Sequence, residues 1–136
     1  LNEGMGDYVA NQTIKCMNKK GVVVKDAKIL ILGITFKENC PDIRNKKVVD
    51  IYHTLEEYTE DITVYDPWAN ANDVKREYGI LPTQDKKVLI EKYDAVILAV
   101  AHKEFLSLDV RSLVKADGVV YDVKGILPRE VVDGRL

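Results

Sequence analysis

Three cations stand where an anionic ligand would need them. Lys37 and Arg44 lie in one loop segment, Gly33 to Arg44, that follows a short apolar run, and Lys124 follows the last apolar run of the chain. An ammonium offers phosphate a point charge, while a guanidinium offers a planar fork that takes two oxygens at once. Asp42, two residues before Arg44, is placed to orient that fork. Taken singly, each of these residues also fits the plainer reading of a surface charge. His102 follows a further apolar run; a role in lining a site stands beside that of a surface or capping histidine. His53 falls off the apolar face of its helix and is read as solvated.

The elements that must position these residues are legible from periodicity. Met5, Val9, Thr13, Cys16 and Met17 recur at three- and four-residue steps, which predicts a helix from about Asn2 to Lys20, stopped by Gly21. Lys28 to Leu32 is a continuous apolar run of the kind found in strands covered on both faces. Val48, Ile51, Tyr52 and Leu55 mark a helix from about Lys46 to Tyr58, and Ile62 to Tyr65 a second strand. Asn72 is expected to cap a short helix through Tyr78, with Gly79 ending it. Ile80-Leu81 is expected as a small strand and Lys86 to Lys92 as a helix. Ala95 to Val100 is the clearest buried strand, Phe105 to Val114 belong to helical turns, and Val119 to Asp122 form the last strand.

Strands alternating with helices predict an α/β fold, a Rossmann-like, doubly wound, mainly parallel sheet preceded by an N-terminal connector helix. Residues 1–21 are expected to form that connector and residues 22–136 the ligand-binding domain. In an open parallel sheet ligands bind beyond the carboxyl ends of the strands. Four segments reach that edge: Gly33 to Arg44, Asp66 to Ala69, Ala101 to Lys103, and Asp122 to Gly125.

Composition narrows the function. The net charge is −2 with both signs interspersed, so no basic stripe is present to attract a nucleic acid. No apolar run approaches the roughly 20 residues of a membrane span. Cys16 and Cys40 make no disulfide framework, and a reducing cytoplasm is the expected compartment. No metal-ligand cluster is apparent. A dinucleotide fingerprint would be G-x-G-x-x-G after the first strand. Here Gly33 is alone, and Phe36 and Lys37 block the close approach of backbone to a pyrophosphate. Asp66 resembles the acid that holds a ribose, but without the glycines no NAD site is expected within this domain.

The run Ile31-Leu32-Gly33-Ile34-Thr35-Phe36-Lys37, followed by Asp42-Ile43-Arg44, resembles the C-terminal domain of the UDP-glucose/GDP-mannose dehydrogenase family. Val64-Tyr65-Asp66-Pro67, Ala95 to Val100 and Val120-Tyr121-Asp122 match the later strands of that family in order, and Asn2 and Met5 the start of its connecting helix. The resemblance implies an NAD-dependent oxidation of the C6 alcohol of a nucleotide sugar to a carboxylate, in two hydride transfers. It implies that Phe36, Lys37 and Lys124 contact substrate and that Arg44 reaches toward NAD held by a separate N-terminal domain. Lys124 stands where many members carry Arg; with His102 it resembles the subgroup acting on UDP-N-acetylhexosamines.

The family nucleophile is a cysteine in a Gly-rich segment upstream of this chain, so neither Cys40 nor Cys16 is assigned that role. No catalytic residue is therefore expected here, and the chain alone is expected to be inactive. The termini, Leu1 and Leu136, are read as those of an excised domain. The expected partners are the UDP-sugar, the N-terminal NAD domain of the same polypeptide, and further copies in a homodimer or larger assembly. Polysaccharide or capsule synthesis is the pathway that the resemblance implies. The alternatives are a free-standing nucleotide-binding module and an interaction domain that uses its first helix as a dimer arm.

Overall fold

Alternate residues of the first apolar run point to opposite sides of one sheet, and both sides are covered. The computed structural model describes residues 4–136. Its elements are α1 (Met5–Lys19), β1 (Ile29–Leu32), α2 (Lys46–Glu56), β2 (Ile62–Tyr65), α3 (Ala71–Tyr78), β3 (Tyr93–Leu98), α4 (Lys103–Leu106), β4 (Val114–Asp122) and β5 (Gly134–Arg135). The expected start of the first helix at Asn2 lies outside the described residues.

The five strands form one sheet in the order β2-β1-β3-β4-β5, and every pairing is parallel. The order reverses direction between β1 and β3. That reversal is the topological switch point, where the loops leaving the two strands diverge and open a crevice. Ile29 and Ile31 face a core shared with Val9, Met17, Val48, Ile51 and Leu55, while Leu30 and Leu32 face a second core with Phe105, Val110 and Leu113. Strands covered on both faces need no polar alternation, which is why the runs are continuously apolar. The expected doubly wound α/β class is thus borne out.

The helix α1 is built into this core. Val9, Ala10, Thr13, Ile14 and Met17 are buried, and they pack the helix against α2 and the sheet. Its carboxyl end is clamped as well: Lys20 Nζ lies 2.7 Å from Asp133 Oδ1 and donates to the carbonyl of Gly118. Arg111 holds the other oxygen of Asp133 at 2.7 Å.

Several local expectations are corrected. Asn70, not Asn72, caps α3, with its side chain accepting from the Asp73 N–H at 3.0 Å. Ile80-Leu81 is not a strand; the only bridge nearby joins Tyr65 to Thr83. The turn at Lys86–Ile90 is a 3-10 helix rather than an α-helix. β4 begins at Val114, earlier than expected, with a register shift opposite Tyr93 and Ala95. β5 was not expected. Two residues carry no apolar pattern, and Gly134 pairs there because a Cβ would sit 2.8 Å from the Tyr121 ring.

Candidate functional site

Gly33 ends β1 at a φ of 100°, and a Cβ on it would lie 2.5 Å from that of Val100. The close approach that glycine permits is therefore to the segment leaving β3, and it fixes where the loop of residues 34–45 departs. Beneath the loop sits a fully buried polar knot. Asp66 Oδ2 accepts from the N–H groups of Ile34 at 2.7 Å and Thr35 at 3.1 Å, while Oδ1 accepts from those of Trp68 at 2.7 Å and Ala69 at 3.1 Å. The carboxylate that resembled a ribose acid is thus occupied by backbone. Burial alone would raise its pKa, but the hydrogen bonds from His102, Ile34 and Trp68 outweigh it and hold the group below the ordinary carboxylate value.

His102 completes the knot. Its Nδ1 accepts from the Asn39 N–H at 2.9 Å, which leaves the ring proton on Nε2, between Asp66 Oδ2 at 3.0 Å and Thr35 Oγ1 at 3.1 Å. The imidazole is therefore the neutral Nε2–H tautomer. Asn39 adopts a left-handed φ of 55° and accepts the Lys103 N–H on its side chain. Neither the surface nor the capping reading of His102 describes it: the ring is fully buried, and although the residue precedes α4 its side chain makes no cap. Asp122 plays a similar part as the last residue of β4, where its two oxygens accept from Lys124, Gly125 and Leu127 N–H.

Above the knot a cavity of about 450 Å³ opens at the carboxyl edge, within the range of small-molecule sites. Its wall brings together Phe36, Lys37, Arg44 and Lys124 and adds Asn45, Lys46, Lys47, Asp50, Ala99 and Val100. Five cations thus face one carboxylate, Asp50, which pairs with Lys46 at 3.2 Å. Asp42 and His102 are not part of the wall; they act on residues that are. Asp42 grips Arg44 along its Nε–Nη2 edge, at 3.0 Å and 2.6 Å, and leaves Nη1 for another partner. Hydrogen bonds from Arg44 hold the Asp42 carboxyl down to about 2. Phe36 is 58% exposed, an aromatic face presented to solvent rather than to the core.

A depression of about 500 Å³ lies at the opposite, amino edge of the sheet, where Lys25 is outnumbered by Asp26, Glu56, Glu57, Glu60 and Asp61. Its size is similar, but its negative charge and its place away from the switch point make it unsuited to an anion. Sequence reasoning missed Lys47. The signal was present: Asn45-Lys46-Lys47 opens α2, and cations in the first turn oppose the helix dipole. The two cysteines are free, and Cys16 has its thiol pushed up by burial, with the charge of Asp133 second, away from thiolate character. Among the described residues no group of three or more His, Cys, Asp or Glu could hold a metal ion, and no helix is long and apolar enough to cross a membrane.

Together the fold and the cavity define a Rossmann-like domain whose switch-point cavity is lined by cationic side chains and lacks a glycine-rich turn. The chain belongs to the UDP-glucose/GDP-mannose dehydrogenase family, whose UDP binding domain matches residues 30–129. It is 47% identical to UDP-N-acetyl-D-glucosamine 6-dehydrogenase of Salmonella typhi and 48% identical to the protein of that name from Pseudomonas aeruginosa, over all of this chain and 32% of each relative. Protein CapL of Staphylococcus aureus is 40% identical over 93% of the chain and 30% of its own length. The chain thus spans about a third of the length of these curated relatives.

Among solved structures, a UDP-D-ManNAc dehydrogenase from Pyrococcus horikoshii superposes with a TM-score of 0.78 at 20% identity, covering 98% of this chain and 31% of that one. The UDP-N-acetyl-mannosamine dehydrogenase Cap5O of Staphylococcus aureus gives 0.72 at 24% identity, over 98% of this chain and 31% of its own. At such identities these structures establish the fold. The resemblance carried by Phe36-Lys37 and Asp42-x-Arg44 is borne out at the level of the family.

Proposed function

We propose that this domain binds the nucleotide sugar in an NAD-dependent UDP-sugar 6-dehydrogenase, and that a UDP-N-acetylhexosamine is its substrate. The observation that carries this reading is the cationic cavity at the switch point, where residues from two strand ends converge on a volume suited to a small anion. The 47% and 48% identity to two enzymes named for UDP-N-acetyl-D-glucosamine supports that sugar over its epimers. In this reading Lys37 and Lys124 neutralise the diphosphate or sugar oxygens, and Phe36 covers the ligand. Arg44, steadied by Asp42, points its free Nη1 toward a dinucleotide held elsewhere.

The residues present do not fit an NAD site within the domain itself. Asp66 is committed to backbone N–H groups, and the one glycine after β1 packs on Val100. The dinucleotide and the cysteine nucleophile are accordingly assigned to the rest of a longer polypeptide, with residues 1–21 as the connector and residues 22–136 as the ligand domain. The chain alone is inactive in this reading, and the complete enzyme acts in the cytoplasm as a homodimer or larger assembly, supplying a uronic acid for polysaccharide synthesis.

Calorimetry of the chain with UDP and with UDP-N-acetyl-D-glucosamine tests the ligand. Binding that Lys37→Ala weakens roughly tenfold, the worth of one charge-assisted hydrogen bond, is expected. Equal binding by the variant, or none by the wild type, contradicts the reading.

A further inference from the structure

Lys47 carries three unfavourable electrostatic circumstances at once. It occupies the first turn of α2, where the helix dipole repels a cation. Its position is half-buried, and burial, with the charge of Lys124 second, lowers its pKa below the ordinary lysine value. Among the described residues no carboxylate lies within ion-pairing distance of it, whereas Lys46 beside it has Asp50. Both Lys47 and Lys124 line the cavity, and one anion placed there would relieve all three penalties together. Such an arrangement lowers the stability of the ligand-free fold, a local conflict of the kind expected at functional sites.

We propose that Lys47 is a further ligand-binding residue of this cavity, acting with Lys124 as a cation pair that takes the diphosphate of the nucleotide sugar. The inference rests on the nucleotide-sugar reading above and extends it to a residue from α2, a different element from the two strand ends that carry Lys37 and Lys124. The division of labour is geometric. Lys37 and Lys124 ride on loops leaving strands, whereas Lys47 is fixed on a helix whose Val48 and Ile51 are buried. It thus gives the cavity one cation on a rigid support. Neutral uridine has no diphosphate and gains nothing from Lys47.

The test is Lys47→Met, which keeps the apolar stem and removes the charge, with Lys47→Arg as the charge-preserving control. UDP and uridine are titrated calorimetrically into each, and ligand-free melting temperatures are recorded. Lys47→Met is expected to weaken UDP about tenfold or more, to leave uridine unchanged, and to raise the ligand-free melting temperature. Lys47→Arg is expected to stay within a few-fold of wild type. Unchanged UDP affinity in Lys47→Met overturns the proposal, as does equal weakening of UDP and uridine with a lower melting temperature, which would make Lys47 structural. If wild type binds UDP and Lys37→Ala weakens it while Lys47→Met does not, this inference fails and the nucleotide-sugar reading stands. If wild type binds no UDP, both fail.

Discussion

Replacing Asp66 with Asn changes one oxygen into an NH2 group and should unlatch the ligand loop. Oδ1 accepts two backbone N–H groups and Oδ2 accepts two more together with His102. An amide has one acceptor oxygen, so whichever way it turns, its NH2 confronts at least two buried N–H donors. Each donor left unsatisfied costs about 1–3 kcal/mol, and hydrogen bonds to a charged acceptor lie at the upper end, roughly 1.5–3 kcal/mol each. The expected loss is therefore about 3–5 kcal/mol, or roughly 10–20 °C in melting temperature for a domain of this size.

The pH dependence supplies a second, independent check. The folded-state pKa of Asp66 is lowered, so its contribution is fully present above the ordinary aspartate value near 4 and disappears as pH falls through the folded value. The gap between wild type and Asp66→Asn should be full at pH 7 and narrow below about pH 4. Urea unfolding followed by far-UV circular dichroism at pH 7 and pH 3 measures both quantities. The single tryptophan, Trp68, stacks on His102 at 6.1 Å and reports on the knot by fluorescence. A loss under about 1 kcal/mol at pH 7 would falsify the knot as the loop's anchor. A gap that stays constant down to pH 3 would refute the role of the ionised carboxylate.

Other outcomes follow from single features. Gly33→Ala should cost roughly 2–4 kcal/mol, from the positive φ and the overlap with Val100, measured by chemical denaturation. Asn70→Ala should cost about 1 kcal/mol and Asn72→Ala close to none, a contrast that thermal melts of the two variants can read directly. Asp133→Ala should cost about 2–3 kcal/mol, because it releases Lys20, Arg111 and the Val120 N–H together. Hydrogen exchange should then show faster opening of β5 and of the end of α1.

Much of this was legible in the sequence for definable reasons. Parallel strands covered on both faces advertise themselves as apolar runs, and β1, β2 and β3 were found within a few residues. β5 escaped because Gly134 and Arg135 pair through backbone alone, with Asp133 clamped by two distant cations. That Lys37, Arg44 and Lys124 share one cavity is legible because strand ends in an open parallel sheet converge on one edge. Lys47 lines the same cavity, and its only trace in the sequence is a cation in the first turn of α2, because periodicity says nothing about which end of a helix faces the cavity. The burial of His102 was unreadable for a different reason. Its partners come from Thr35, Asn39 and Asp66, three positions that only the tertiary fold brings within 3.1 Å of one ring.

The most direct test of the central claim is amide chemical-shift mapping of the chain titrated with UDP-N-acetyl-D-glucosamine. Saturable shifts concentrated at Phe36, Lys37, Arg44, Lys47 and Lys124, with the amino edge at Glu56 to Asp61 unaffected, are the expected result. Absence of saturable shifts, or shifts centred on that amino edge, would contradict the account.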